Sequence, residues 1–501
     1  MLLTEHIAAN AASRGDHRYI LHGDRRVSFR EFDELTNRVA HALLALGVKR
    51  GDRVTLALGN SVEWPVAAFG VLKSGAILNP VNPGLGAREL GYILGHAAPA
   101  VIVTNTESAG AILALERPAS STVVAFGQVS GAVSFDECMA RASATPIAVP
   151  LEPGDGSTLL YTSGTTGNPK GVLFTHGRTG TSGPDFISGM GLTRDDVILT
   201  VGPLFHGNAW SALAVAQQAG CTVAFPKSFH ASEFWPLAHA TGATVMFTLG
   251  TILAILLAQP PSPLERSSRL RVILGLGSAP IRDEVKRRFG IRHIVECFGS
   301  TDAGVVTLEP LDTPPRKGSS GPPVPGVKIR ISDDSGTELP AGQVGEICVL
   351  SSARMAEYFH DPEQTRKALR GEWFLTGDLG YVDQDGWLYF VDRKRDVIRR
   401  GGENISSVLV EKAIREHPQV TDVAVIGVNH PVLGQEVKAY VVASGSPTAE
   451  ELRAFVAERL AKFQVPTLWE FRDSLPKTPT QRVEKYKLRA EHEGSGKPLL
   501  G

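Results

Sequence analysis

Apolar positions along the chain fall into two rhythms. Short runs rich in β-branched residues, at 53–58, 100–104, 122–126 and 270–274, alternate with longer segments of helical spacing. Between them, residues 29–46 carry Phe32, Leu35, Val39, Leu43 and Leu44 on one face, with Gly47 as a stop signal, which predicts an amphipathic helix against a sheet. The amino terminus reads as a first amphipathic helix and not as a signal peptide, because Glu5 and His6 come before any apolar core. Over 318–349 the texture changes to Gly and Pro punctuation around short alternating runs at 327–331 and 345–350, the pattern of a small barrel or meander. A charged segment, Arg393-Lys-Arg-Asp, then leads into a second α/β pattern. Its strands are expected at 421–426 and 436–442, and a helix is expected after the capping pair Thr448 and Glu451, with Leu452, Phe455, Val456 and Leu460 on one face. The final Gly494-Ser-Gly-Lys-Pro reads as a disordered tail.

The predicted fold is therefore α/β. A large multi-lobed domain over 1–392 combines sheets, helices and a small β-barrel lobe at about 318–392, and a small mobile α/β domain follows over 393–501. A chain of 501 residues is long enough for both.

Composition narrows the function classes. Lys plus Arg total 51 against 52 Asp plus Glu, so no long-range field favours nucleic acid or an anionic membrane, and an anionic ligand must be held locally. The four cysteines are scattered without a CxxC pair, which predicts reduced thiols and neither a zinc site nor a disulfide framework. The apolar stretch at 66–81 is interrupted by Lys73 and glycines and falls short of the roughly 20 residues of a membrane span. A cytoplasmic protein without nucleic-acid or membrane partners is expected.

The densest chemistry lies at 157–174, where an apolar strand opens into a loop of glycines and hydroxyls before a second apolar run. Gly164, Gly167 and Gly171 let backbone amides converge on an anion. Thr162, Ser163, Thr165 and Thr166 supply hydroxyls, and Lys170 adds charge, so the segment suits a polyphosphate. It is not a Walker A loop, because Pro169 precedes the lysine and no Ser or Thr follows it. Gly275-Leu-Gly277 half-matches a dinucleotide fingerprint, but Pro280 stands where close helix packing needs a small residue.

The run Thr162-Ser-Gly-Thr-Thr-Gly-Asn-Pro-Lys-Gly-Val172 resembles the signature of the adenylate-forming superfamily of acyl-CoA synthetases, peptide-synthetase adenylation domains and luciferases. Further motifs follow in family order: Phe205-His206 near Asn208, Phe298-Gly-Ser-Thr-Asp302, Thr376-Gly-Asp378, Asp392-Arg393, Gly401-Gly402-Glu-Asn and Pro476-Lys-Thr-Pro-Thr. Residues 399–406 are similar to the carnitine and crotonobetaine CoA-ligase branch.

The resemblance implies ATP, Mg²⁺ and coenzyme A as cofactors and a small-molecule carboxylic acid as substrate. A carrier protein or a non-thiol nucleophile is an alternative acceptor, a degenerate nucleotide-binding member is a third reading, and a homodimer is a further expectation. It also implies roles for particular residues. Gly277, Ser278, Ala279 and Pro280 on one side and Phe298, Gly299, Ser300 and Thr301 on the other would enclose adenine, with Thr301 at the α-phosphate. Asp378 and Arg393 would take the ribose and phosphates. Thr165 and Asp302 would face Mg²⁺, although the family more often has Glu at the position of Asp302. Phe205, His206, Trp210, Thr248 and Thr251 would line the acid pocket. Rotation about Arg395 would bring Gly401 and Gly402 to the thiol. The family's adenylating lysine is absent from its place after Pro476-Lys-Thr, where Gln481 and Arg482 stand, so Arg482 or Lys485 is the expected cation.

Overall fold

The computed structural model describes residues 1–162, 169–401, 403–477 and 483–494, without the Pro280 side chain. Its contacts divide the chain into two units, 1–329 with 349–374, and 330–348 with 375–501.

Two large sheets and the two-stranded antiparallel pair Cys297–Ser300 with Gly304–Leu308 lie in the first unit. One has eight strands in the order Glu357–Tyr358, Lys170–Thr175, Gly156–Thr162, Ile77–Pro80, Arg53–Leu56, Val101–Asn105, Thr122–Phe126 and Val133–Ser134. From Gly156–Thr162 onward the neighbours are parallel, whereas Lys170–Thr175 and Glu357–Tyr358 join antiparallel at one edge. The other sheet runs His293–Val295, Val272–Leu276, Val245–Leu249, Val197–Thr200, Thr222–Ala224, Arg18–His22 and Arg25–Ser28, and is parallel except for the final hairpin.

The amphipathic helix expected at 29–46 is Phe29–Ala45. Ser28 caps it by accepting the Glu31 N–H at 3.1 Å, and Phe29, Phe32, Val39 and Leu43 are fully buried along one stripe. Each such side chain contributes about 1.5–3 kcal/mol on leaving water. Its partner is helix Glu63–Lys73, in which Gly70 stands so near Val39 that a Cβ there would collide with it. This second helix is buried almost all round, which accounts for the apolar stretch from Val66 as core. No helix among the described residues is long and apolar enough to cross a membrane.

In the β-rich segment, Lys328–Ser332, Gly345–Leu350 and Trp373–Val382 are successive neighbours in one sheet, and Leu388–Arg393 pairs antiparallel with the last. The second unit adds a sheet in the order Glu403–Ile405, Ile398–Arg400, Gly434–Ala443 and Val420–His430, with Leu468–Phe471 parallel to Gly434–Ala443. Helices Ser407–Arg415, Ala449–Ala457 and Lys485–Gly494 accompany it. Thr448 and Glu451 form the reciprocal capping box read from the sequence, at 2.8 and 3.2 Å.

Candidate active site

Four adjacent parallel strands bring most of the candidate residues to one end of a sheet. His293–Val295, Val272–Leu276, Val245–Leu249 and Val197–Thr200 are neighbours with a common direction. At their carboxyl ends the chain passes into residues 296–302, 277–280, 250–251 and 201–210. Open parallel sheets bind ligands at this end, outside the strand termini. Gly277 turns with φ +76°, and Gly250 lies so close to it that a Cβ on Gly250 would strike the Gly277 carbonyl. Glu296 ties the two turns expected to enclose adenine: its carboxylate accepts the Gly277 N–H at 3.0 Å and the Ser278 hydroxyl at 2.5 Å. Burial raises the Glu296 pKa and these hydrogen bonds work against that rise. Phe298 is buried, and its N–H donates to Thr307 Oγ1 at 3.0 Å.

The phosphate loop joins two antiparallel strands in which Thr162 is the register partner of Lys170. Ser163, Gly164, Thr165, Thr166 and Gly167 lie outside the described residues. Lys170 Nζ donates to Gln364 Oε1 at 3.2 Å and sits 4.9 Å from the centroid of the Tyr358 ring. The Tyr358 hydroxyl donates to Asp302 Oδ2 at 3.0 Å, and burial followed by the neighbouring Asp302 charge raises its pKa. Lys170 and Asp302, far apart in sequence, therefore meet through one tyrosine. Strand Glu357–Tyr358 makes this possible by adding to the edge of Lys170–Thr175, with Tyr358 paired to Val172.

His206 occupies the N-cap position of helix Gly207–Ala219 without a side-chain capping hydrogen bond, its ring 4.8 Å from that of Phe205. Its Nε2 is buried and has no hydrogen-bond partner among the described residues, and burial lowers its pKa to about 4, so the ring is neutral. Trp210 is packed into the core, edge-on to Trp64 at 5.8 Å and against Phe69 at 5.2 Å. Thr248 is buried, its Oγ1 without a hydrogen-bond partner among the described residues, whereas Thr251 is exposed in the first turn of helix Gly250–Leu257. Thr301 and Asp302 are half-buried and Ser300 is exposed.

In the second unit, Asp378 and Arg393 are register partners across the antiparallel pair, with Arg393 Nε 3.7 Å from Asp378 Oδ1. Gly401 holds φ +59°, and its N–H donates to the Leu433 carbonyl at 2.8 Å. Gly402 and Arg482 lie outside the described residues. Lys485 is held within the unit by Glu411 and Ser407, each at 2.7 Å. Ser407 in turn donates to the buried Asp392.

The model of the AMP-binding enzyme family matches residues 7–359, and that of its C-terminal domain matches 409–482. The crotonobetaine/carnitine–CoA ligase of Salmonella heidelberg (strain SL476) is 34% identical over 485 residues, covering 93% of each chain. The chain belongs to the AMP-binding enzyme family. Among solved structures, ATP-bound MatB from Rhodopseudomonas palustris superposes on this AMP-binding enzyme with a TM-score of 0.91 at 28% identity, over 99% of this chain and 100% of its own. A benzoate CoA ligase from Burkholderia xenovorans LB400 does so with a TM-score of 0.88 at 25% identity, over 98% and 100%.

Three residues of this AMP-binding enzyme's candidate site escaped the sequence reading: Tyr358, Gln364 and Glu296. Asp361 followed by Pro362 signals a helix start, and Asp361 caps helix Pro362–Ala368 through the Gln364 N–H at 2.9 Å. No local signal, however, directs that helix to Lys170. Tyr358 and Glu296 acquire their partners only through strand pairing and adjacent strand ends.

Proposed function

We propose that this AMP-binding enzyme activates a carboxylic acid with ATP as an acyl-adenylate and passes the acyl group to coenzyme A. The observation that carries the reading is the joining of Lys170 to Asp302 through Tyr358, in the unit that also holds the two turns bridged by Glu296. A phosphate-binding cation, over the ring, and a carboxylate suited to a hard metal ion, at the hydroxyl, thus stand against one tyrosine.

In the first half-reaction a carboxylate oxygen bonds to the α-phosphorus of ATP, the bond to the β-phosphate oxygen breaks, and pyrophosphate leaves. Lys170 and the loop at 163–167 bear the growing charge on the phosphates, and Thr301 stands at the α-phosphate. Asp378 and Arg393 take the ribose. His206 is neutral at physiological pH and serves as a wall and hydrogen-bonding group beside the acid. It is not needed as a base, because the attacking oxygen is already ionised. In the second half-reaction the thiol sulfur bonds to the acyl carbon, the bond to AMP breaks, and the thiol proton is released. Rotation of 393–501 about Arg395 brings Gly401 and Gly402 to that step.

Among the described residues no group of three or more His, Cys, Asp or Glu is arranged to hold a metal. Magnesium would be held chiefly by the nucleotide phosphates with Asp302 as a protein carboxylate, a mode that suits this cation, and it would offset phosphate charge. Tyr358 orients Asp302 for that task.

Mass spectrometry of products from ATP, a panel of carboxylic acids and free CoA tests the reading. A CoA thioester together with AMP supports it. Acyl transfer only to a carrier-protein thiol or an amine would assign the alternative acceptor, and nucleotide binding without pyrophosphate release would identify a degenerate member.

A further inference from the structure

Behind the two turns lies a closed ring of buried groups that the proposed chemistry does not use. Glu296 accepts the Gly277 N–H and the Ser278 hydroxyl. The Glu296 N–H donates to Glu309 Oε2 at 2.9 Å, and the Glu309 N–H returns to the Glu296 carbonyl at 2.9 Å. Arg282 Nη2 reaches the same Glu309 Oε2 at 2.5 Å. The chain from Ser278 through the short 3-10 turn Ala279–Ile281 to Arg282 completes the circuit. Ser278, Arg282, Glu296 and Glu309 are all at least nine-tenths buried.

We infer that Arg282 and Glu309 are positioning residues for the nucleotide, because the ring they close fixes the spacing between the turn at 277–280 and the segment at 296–300. The inference rests on the reading of these two stretches as the edges that enclose adenine. Strand His293–Val295 is a three-residue edge strand, and its ladder to Val272–Leu276 ends at the pair Leu274 and Val295. Beyond that pair no sheet register fixes residues 296–300 against 277–280, so side chains must do it. Stability alone is a poor reason for the pair: replacing a buried ion pair with apolar residues of similar volume is often neutral or stabilising. Arg282 Nε and Glu309 Oε1 also lack hydrogen-bond partners among the described residues, which leaves part of their desolvation cost uncompensated. What the pair supplies is a single geometry, imposed on both turns through Glu296.

The test measures kcat and KM for ATP, for GTP and for the acid with Glu309→Gln and Arg282→Met in the full-length enzyme. Both variants are expected to raise KM for ATP about tenfold, to leave KM for the acid within about twofold, and to lower the ratio of kcat/KM for ATP over GTP. Arg282→Lys, which keeps the charge, should restore part of that ratio. The ratio is read within one preparation, so a loss of folded protein cancels from it. Should Glu309→Gln and Arg282→Met fail to fold, Arg282→Lys is read by the same ratio, with a smaller fall expected. If wild-type enzyme turns over ATP while the folded variants change only yield or melting temperature and leave the ratio intact, the positioning role is overturned. If wild-type enzyme shows no use of ATP, the functional reading beneath it fails instead.

Discussion

Tyr358 is the residue on which two candidate catalytic groups converge, since its ring faces Lys170 and its hydroxyl holds Asp302. Tyr358→Phe keeps the ring and removes the donor. Loss of one hydrogen bond to a charged group is expected to cut acid-dependent pyrophosphate exchange about tenfold in kcat, with KM for the acid unchanged; an unchanged kcat would show that Asp302 needs no orienting. His206 gives a pH prediction. Its folded pKa, about 4, lies below the value of about 6.5 that it has when exposed. The unfolded chain therefore binds a proton that the folded chain refuses as pH falls from about 6.5 towards 4, and stability is lost over that window. His176, also lowered by burial, acts in the same direction. His206→Gln, which cannot titrate, should lose less melting temperature between pH 7 and pH 5 than wild type does.

At the scale of elements, Gly250 shows how closely the strand-end turns approach. Gly250→Ala forces a methyl group against the Gly277 carbonyl. Overpacking of this kind costs about 1–3 kcal/mol, and the expected result is a higher KM for ATP with a modest fall in melting temperature. Elements whose signal is local were legible in the sequence: the stripe of Phe29–Ala45, the capping box of Ala449–Ala457 and the runs that became Thr122–Phe126 and Gly345–Leu350. Boundaries moved where an apolar run outlasts its ladder, as at 53–58, where only Arg53–Leu56 is strand, or where pairing starts later, as at 270–274, where the strand is Val272–Leu276. Neighbour relations were not legible. Nothing near Glu357–Tyr358 announces that it will extend the sheet beside Lys170, and nothing near Arg282 announces Glu309, because both relations arise from long-range packing.

At the scale of the whole molecule, the proposed chemistry has one chain run two reactions. Gly401 has φ +59°, a conformation that disfavours any side chain. Gly401→Ala is expected to slow thioester formation at least tenfold while pyrophosphate exchange persists; equal losses in both would argue against a role confined to the second step. The two candidate cations should likewise separate. Lys485 is engaged by Glu411 and Ser407, so Lys485→Ala should lower melting temperature and spare exchange, and Arg482→Ala should abolish exchange. The reverse pattern would move the role to Lys485. The measurement that bears most directly on the whole account is exchange of labelled pyrophosphate into ATP, with the purified enzyme, magnesium and a panel of carboxylic acids, in the absence of CoA. Label in ATP that depends on the presence of an acid is the expected result. Enzyme that binds ATP but yields no acid-dependent label with any acid of the panel, or that releases ADP and phosphate in place of AMP and pyrophosphate, would contradict it.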